Sequence, residues 1–245
     1  MTEALRSYGL LLKWEYLRLR STLALVVVIQ VVLAIGVVYG LSFLLPDISG
    51  SSALYLATGA PTLSLLILGI TVVPQEVARS KDTGRDQYLR ALPLPALSML
   101  AASVTFWLLA NLPGTALSLW VAKLRFDITL DIDPLVAAVT LLVALTAASV
   151  GYALAQSIPS QATQQVSSFI SIGILLFSPI NFPFERLPQG LQTIHEVLPI
   201  TYMADLVRWS LTGRATHDPA LSFVVVSVWC AAGLLISYRV ATKRR

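Results

Sequence analysis

The sequence predicts an all-α, polytopic membrane protein with six transmembrane helices and cytoplasmic N- and C-termini. It also predicts an N-terminal interfacial helix and an outer-leaflet re-entrant helical hairpin before the last span. Three observations carry this. First, 56% of the 245 residues are hydrophobic and only 12% are charged, about half of the roughly 25% typical of soluble domains. Second, the charges are clustered, leaving uncharged runs at Ser21–Pro46, Ile48–Gln75, Ala91–Ala122, Pro134–Phe184 and Pro219–Tyr238. Third, an even number of spans places twelve of the seventeen lysines and arginines on one side and eight of the thirteen acids on the other. The positive-inside rule makes the basic side cytoplasmic.

A bilayer-spanning helix needs about 20 predominantly apolar residues. Four of the uncharged runs fit one span each. The fifth is too long for one, and the stretch "QSIPSQATQQVSS" (156–168) inside it suits a tight hairpin. The whole chain, 1–245, reads as a single transmembrane domain. Its spans are expected at approximately 22–45, 53–75, 98–122, 134–156, 163–182 and 219–239. The net charge of +4 is accounted for by topology and gives no reason to invoke nucleic acid. Cys230 is the only cysteine and lies within the last span, so it closes no internal disulfide.

Taken in order, residues 4–20 place Leu5, Tyr8, Leu12, Tyr16 and Leu19 at spacings of three and four, with cations between them. Such a helix lies in the headgroup region; an ordinary solvated juxtamembrane helix is the alternative. In the first span, "GVVYG" sets Gly36 and Gly40 for close helix approach, either within one subunit or between two. Pro61, and Pro113 with Gly114, are positions where the second and third spans can bend.

Between the second and third spans stands a compact charged block: Glu76, Arg79, Lys81, Asp82, Arg85, Asp86 and Arg90. From Gln75 to Ala91 it contains no proline, and Val77, Gly84 and Tyr88 fall roughly on one helical face, so a short charged helix is expected. Pro93 and Pro95 end it. Periodicity alone leaves a protein-docking surface and a solvated connecting loop equally open.

On the outer side, 183–213 contains two short amphipathic pieces. Leu187, Leu191, Ile194 and Leu198 form a stripe, and Thr201–Leu211 stops at Gly213. Neither piece is long enough to span. Such backbone enters a bilayer only where protein or water covers its polar groups, and a surface-bound loop is the alternative. "HEVLP" begins like a zinc-protease motif, but Pro199 stands where the second histidine is needed. His195 and Glu196 read as interfacial polar residues, and two histidines with one cysteine do not support a metal site. No Gly-x-x-x-x-Gly-Lys-Ser/Thr occurs, so the chain has no P-loop for nucleotide phosphates.

The outer piece resembles the type-2 ABC exporter permeases (ABC-2 type), membrane subunits that work with a separate ATPase. The residues carrying the resemblance are Pro183, Glu185, Leu187–Pro188, Leu198–Pro199, Thr201–Tyr202, Asp205, Arg208 and Gly213. The charged block, 76–95, is similar to the family's coupling region at Glu76, Gly84, Leu89 and Pro93; it departs at Arg85 and Gln87. The resemblance implies that Glu76, Arg79, Gly84, Arg85, Asp86, Leu89 and Pro93 contribute to docking an ABC ATPase subunit, with the N-terminal helix packed beside them.

It further implies a second permease subunit, as a homo- or heterodimer, in a prokaryotic cell (inner) membrane. No cofactor is expected in this chain; ATP and Mg would bind the partner, and no catalytic site is expected here. The uncharged spans favour hydrophobic or amphipathic cargo, drug or lipid, moving within a membrane-lipid environment. Two other readings stay open. One is a carrier or channel independent of an ATPase, although such carriers usually hold ionisable residues in their spans. The other is a membrane scaffold.

Overall fold

The computed structural model describes residues 2–40, 43, 50–92, 96–126 and 131–243. Among the described residues the chain is helical, without a strand. The expected end of the first span at 45, and the expected stop at Pro93 and Pro95, lie outside them.

Helix α1 runs unbroken over Thr2–Ile35 and continues into a π-helical turn, Gly36–Gly40. The sequence predicts two pieces here, a helix over 4–20 and a span from 22; the structure has one. The reason is local: no glycine or proline interrupts Leu10–Ile35, and the helix is packed on both sides of the expected junction. Leu12, Leu19, Leu23 and Val26 share a cluster with Phe106, Trp107 and Ala110. The buried stripe is also displaced from the expected one. Leu11, Glu15 and Leu19 are buried, while Leu5 and Tyr16 are exposed.

The second long element is composite: α2 (Gly50–Ile67), a π-helical turn (Leu68–Val72) and α3 (Val73–Asp82). Apolar and charged sequence therefore form one rod, Ala53–Asp82. At about 1.5 Å per residue it is roughly 45 Å long. The π turn lies against α6 (Val136–Ser157), where glycines permit backbone contact. A methyl group at Gly69 would stand 2.5 Å from the Ala147 Cβ, and one at Gly151 would collide with the Gly69 carbonyl oxygen. The two glycines singled out in the sequence behave otherwise: nothing lies within 4 Å of a Cβ at Gly36 or Gly40.

The charged block is not one helix. After α3 the chain turns at Thr83–Gly84, with Gly84 at φ 71°, and restarts as α4 (Arg85–Ala91). Only glycine occupies that left-handed region at little cost, and the Thr83 hydroxyl closes α3 by donating to the Arg79 carbonyl at 2.9 Å.

Helix α5 (Ala96–Phe126) holds Pro113 internally. Gln30 and Asn111 tie α1 to α5 through a 3.2 Å hydrogen bond, and Asn111 donates in turn to the Leu65 carbonyl of α2 at 3.5 Å. After α6 the chain turns at Ile158–Pro159, as the sequence predicts, into α7 (Ser160–Phe177). A 3-10 turn (Phe184–Arg186), α8 (Gln189–Val197) and α9 (Pro199–Thr212) follow, then α10 (Pro219–Lys243).

Among the described residues five helices are long and apolar enough to cross a membrane: Leu23–Gly40, Ala53–Asp82, Ala101–Phe126, Val136–Ser157 and Pro219–Arg239. The span expected at 163–182 is not among them. Helix α7 is 18 residues long, but its first half carries Gln161, Gln164, Gln165, Ser167 and Ser168.

Candidate functional site

At one end of the bundle the charged block is fixed to three other helices. Arg18 is the centre of this arrangement. Its Nη2 and Nε donate to Glu15 Oε2 at 2.7 and 3.2 Å, and its Nη1 donates to Glu76 Oε2 at 3.1 Å. Arg79 approaches the other Glu76 oxygen at 3.5 Å. A planar guanidinium can serve two carboxylates at once because its donors fan out in a fixed fork. Glu15 and Glu76 are both buried, so their charges need such partners.

Arg85 adds a second layer: its Nε donates to Ser80 Oγ at 2.8 Å and its Nη2 to the Glu76 carbonyl at 3.4 Å. The Arg18 and Arg85 guanidiniums both stand within 6 Å of the Trp14 ring, at 5.6 and 5.8 Å. On the opposite flank Lys81 donates to the carbonyls of Ala155 and Ile158, the latter at 3.4 Å. These belong to the C-terminal end of α6, where a cation offsets the helix dipole. Ser160, opening α7, donates to Asp82.

Glu76 is thus an internal tie, whereas Arg79, Asp82, Thr83, Gln87 and Tyr88 are exposed. Leu89 and Arg85 are half-buried beside Leu11 and Glu15. Asp86 falls in α4; Pro93 lies outside the described residues. Sequence reasoning missed Glu15 and Arg18. The available signal was an acid at the i+4 position between Leu11 and Leu19, on a stripe otherwise apolar.

At the opposite end, α9 is almost wholly buried. Ile200, Tyr202, Met203, Leu206, Val207 and Leu211 share the main core with Leu63, Leu66, Val143 and Val226. The sharp entry is made by Leu198, extended at ψ 142°, followed by Pro199 at the first turn of α9. The exit is Gly213 at φ 65°.

Asp205 and Arg208, one turn apart and 1% and 3% exposed, form a 2.7 Å ion pair inside this core. Arg208 Nη2 also donates to the Ile180 carbonyl at 3.1 Å, and its guanidinium stacks 4.0 Å from the Tyr55 ring. Burial pulls the Arg208 pKa below its usual value, and Asp205 and Tyr55 oppose that shift.

The Asp205 carboxylate is satisfied from the other side by the chain after Gly213. It accepts from His217 Nδ1 at 2.6 Å, the His217 amide at 3.2 Å and the Thr216 amide at 3.4 Å. Tyr202 donates to the Glu196 carbonyl at 2.9 Å, bracing α9 against α8. His217 and Tyr55 were not legible as members of this cluster, because both lie outside the motif.

In α8 the buried residue is His195, not Ile194, which is exposed together with Val197. A His195 ring nitrogen, Nε2, meets the Phe177 carbonyl at 3.1 Å, and burial pushes the imidazole pKa down. Leu187 and Pro199 are buried; Glu185 and Pro188 are exposed. Thr201 is buried. Among the described residues no cluster of three or more metal-ligating side chains occurs.

The sequence model of one protein family, described as ABC-2 type transporter, matches residues 7–212. No curated protein matches the sequence.

Proposed function

The chain belongs to the ABC-2 type transporter family, and from that premise we propose that it is the permease subunit of an ATP-driven exporter of hydrophobic or amphipathic cargo, drug or lipid. Family membership makes it a multi-pass membrane permease component that associates with an ABC ATPase partner. Export, the kind of cargo and the use of each cluster are the proposal.

The observation that carries it is the continuity of α2 and α3 together with the Arg18–Glu76 tie. A docking surface can drive a membrane helix only if the join between them is stiff. Here the exposed charges of α3, Arg79 and Asp82, stand at the end of a rod that continues into apolar sequence without a loop, and Gln87 and Tyr88 of α4 are exposed beside them. Arg18 binds that rod to α1, and Lys81 binds it to α6. A push on Arg79, Asp82, Gln87 or Tyr88 is then delivered to three helices together. ATP and Mg bind on the partner, and closure of two ATPase subunits works two permeases, identical or homologous.

In this reading the charged-block end and both termini are cytoplasmic, in a prokaryotic inner membrane, and α7 is a sixth span whose glutamines face protein or the pathway. The N-terminal half of α1 flanks the cytoplasmic boundary. The hairpin 183–213 enters the outer leaflet, where α9's packed core covers its backbone. Replacing Ile194 and Val197 with serine tests the hairpin's part in export: loss of export with ATPase binding intact supports it. Transport by membrane vesicles that requires ATP, and stops with a non-hydrolysable analogue, is expected. Ion-driven transport without nucleotide would favour the carrier; no transport and no ATPase association would favour a scaffold.

A further inference from the structure

An open groove of about 560 Å3 runs between α1 and α5, within the size range of small-molecule sites. Its walls are apolar along most of their length, with Leu12, Leu23 and Val27 from α1 facing Phe106, Leu109 and Pro113 from α5. At one end stand Lys13 and Tyr16. The polarity of the groove follows from α1's sequence. Positions 9, 13, 16, 20, 23 and 27 succeed one another at spacings of three and four, so they share one helical face. That face begins with Gly9, Lys13, Tyr16 and Arg20 and ends with Leu23 and Val27.

The depth of this face is fixed by its neighbour. Ser103 lies 3.5 Å from Glu15, which puts Lys13 beside the beginning of α5's apolar stretch at Ala101. The apolar stretch of α1 itself begins only at Leu23, so Lys13 and Arg20 both stand on the polar side of the groove's apolar part. Arg20 lies two turns deeper, and helical side chains lean toward the helix N-terminus, so its long stem can carry the guanidinium back toward Lys13. Both residues are exposed, and neither has an ion-pair partner among the described residues. This contrasts with Arg18 on the neighbouring face, which is held by two carboxylates.

We propose that this groove is a binding site for an anionic phospholipid of the surrounding membrane, its phosphate held by Lys13 and Arg20 and one acyl chain seated between Leu23, Val27, Leu109 and Pro113. Basic pockets between membrane helices select anionic headgroups by charge, and the apolar continuation fixes a chain rather than a soluble phosphate. The occupant is a resident lipid wedged between α1 and α5, close to the Arg18–Glu76 tie, and is distinct from transported cargo. The site requires only the multi-pass membrane placement, so its test reads lipid retention and not transport.

The experiment is native mass spectrometry of the permease with its co-purifying subunits, titrated with phosphatidylglycerol and separately with phosphatidylcholine. The wild-type protein is expected to retain phosphatidylglycerol preferentially. The Lys13→Gln/Arg20→Gln variant should bind it on the order of thirty-fold more weakly, at about one kcal/mol per cation. Leu109→Trp, which fills the groove and keeps both charges, should lose the same adduct. Arg186→Gln, remote and exposed, should not. Equal retention of the two lipids overturns the proposal, as does an adduct unchanged in both groove variants. It is also overturned if Leu109→Trp abolishes dimers instead of adducts, which would make a second copy the occupant. Release of the adduct on ATP addition would identify cargo and overturn it too.

Discussion

Arg18 and Glu76, 58 positions apart in the chain, meet at 3.1 Å and join the first helix to the charged end of the second rod. The arginine is shared, because Glu15 holds its other edge at 2.7 Å. Two buried carboxylates and one guanidinium therefore mount the block on the first helix. Removing the arginine leaves Glu15 without its cation and Glu76 with only the longer, exposed Arg79 contact at 3.5 Å, which costs more than the pair gains over an apolar replacement.

Arg18→Ala is expected to destabilise the fold by about 2 kcal/mol, the quarter exposure of the Arg18 side chain holding this below the value for a fully buried pair. Arg18→Lys should recover little, since an ammonium cannot fork between Glu15 and Glu76. Thermal unfolding in detergent measures both. The same variants should bind the ATPase yet show weakened coupling between ATP hydrolysis and transport.

Asp205→Ala is expected to be the more damaging change, at about 3–5 kcal/mol, because it strands Arg208 inside the core. Arg208→Met should cost less than Asp205→Ala, since Asp205 keeps His217 and two backbone amides. A reversed order in unfolding midpoints would show that the ion pair is not what anchors α9.

His195 supplies a pH dependence whose sign follows from its environment. Burial lowers its folded pKa below the unfolded value near 6.5, so the unfolded state takes up the proton first. Above that value both states are neutral and nothing changes. As pH falls below it, stability is lost with a slope of at most about 1.4 kcal/mol per pH unit until the folded pKa is reached. His195→Leu should flatten the unfolding midpoint between pH 7 and 5, all measured at about 25 °C.

The glycines divide into two groups. Gly151→Ala is expected to cost about 2–3 kcal/mol or more, because its methyl group meets the Gly69 carbonyl. Gly36→Ala and Gly40→Ala should leave the isolated subunit's stability within about 0.5 kcal/mol, having open space around them. Denaturation of the three variants side by side tests this. If the latter pair weakens self-association instead, these glycines serve the subunit interface.

The membrane class, the long apolar helices, the turn at Pro159 and the stop at Gly213 are legible because each depends on local chemistry: apolar length, a proline, a glycine. The second candidate helix also starts where the sequence puts the span, and it runs on past the expected end at 75. Charge marks solvent in a sequence, whereas Ala53–Asp82 continues its helix past the last apolar residue. The single helix expected for the charged block breaks at Gly84, which shares the expected helical face but adopts a turn conformation.

The family motif singled out Glu76, Asp205 and Arg208, yet gave no access to Arg18, Lys81, Tyr55 or His217. Those partners are set by tertiary approach over 58 to 153 positions, apart from His217, which is nearby in sequence but beyond the motif. Nor did spacing reveal that Glu76 faces inward. The exposed side chains of the block are Arg79, Asp82, Gln87 and Tyr88.

Whether the charged block meets an ATPase is read by photocrosslinking in native membranes from a probe amino acid at Tyr88, an exposed residue of α4, with mass spectrometry of the adduct. A covalent adduct with a subunit carrying a Walker A sequence is expected. None is expected from the same probe at Ile194, exposed at the other end of the bundle. An ATPase that co-purifies but crosslinks from neither Tyr88 nor Arg79 would overturn the docking role, since the charged block would then be a solvated connection and not the site where ATP's work enters the membrane.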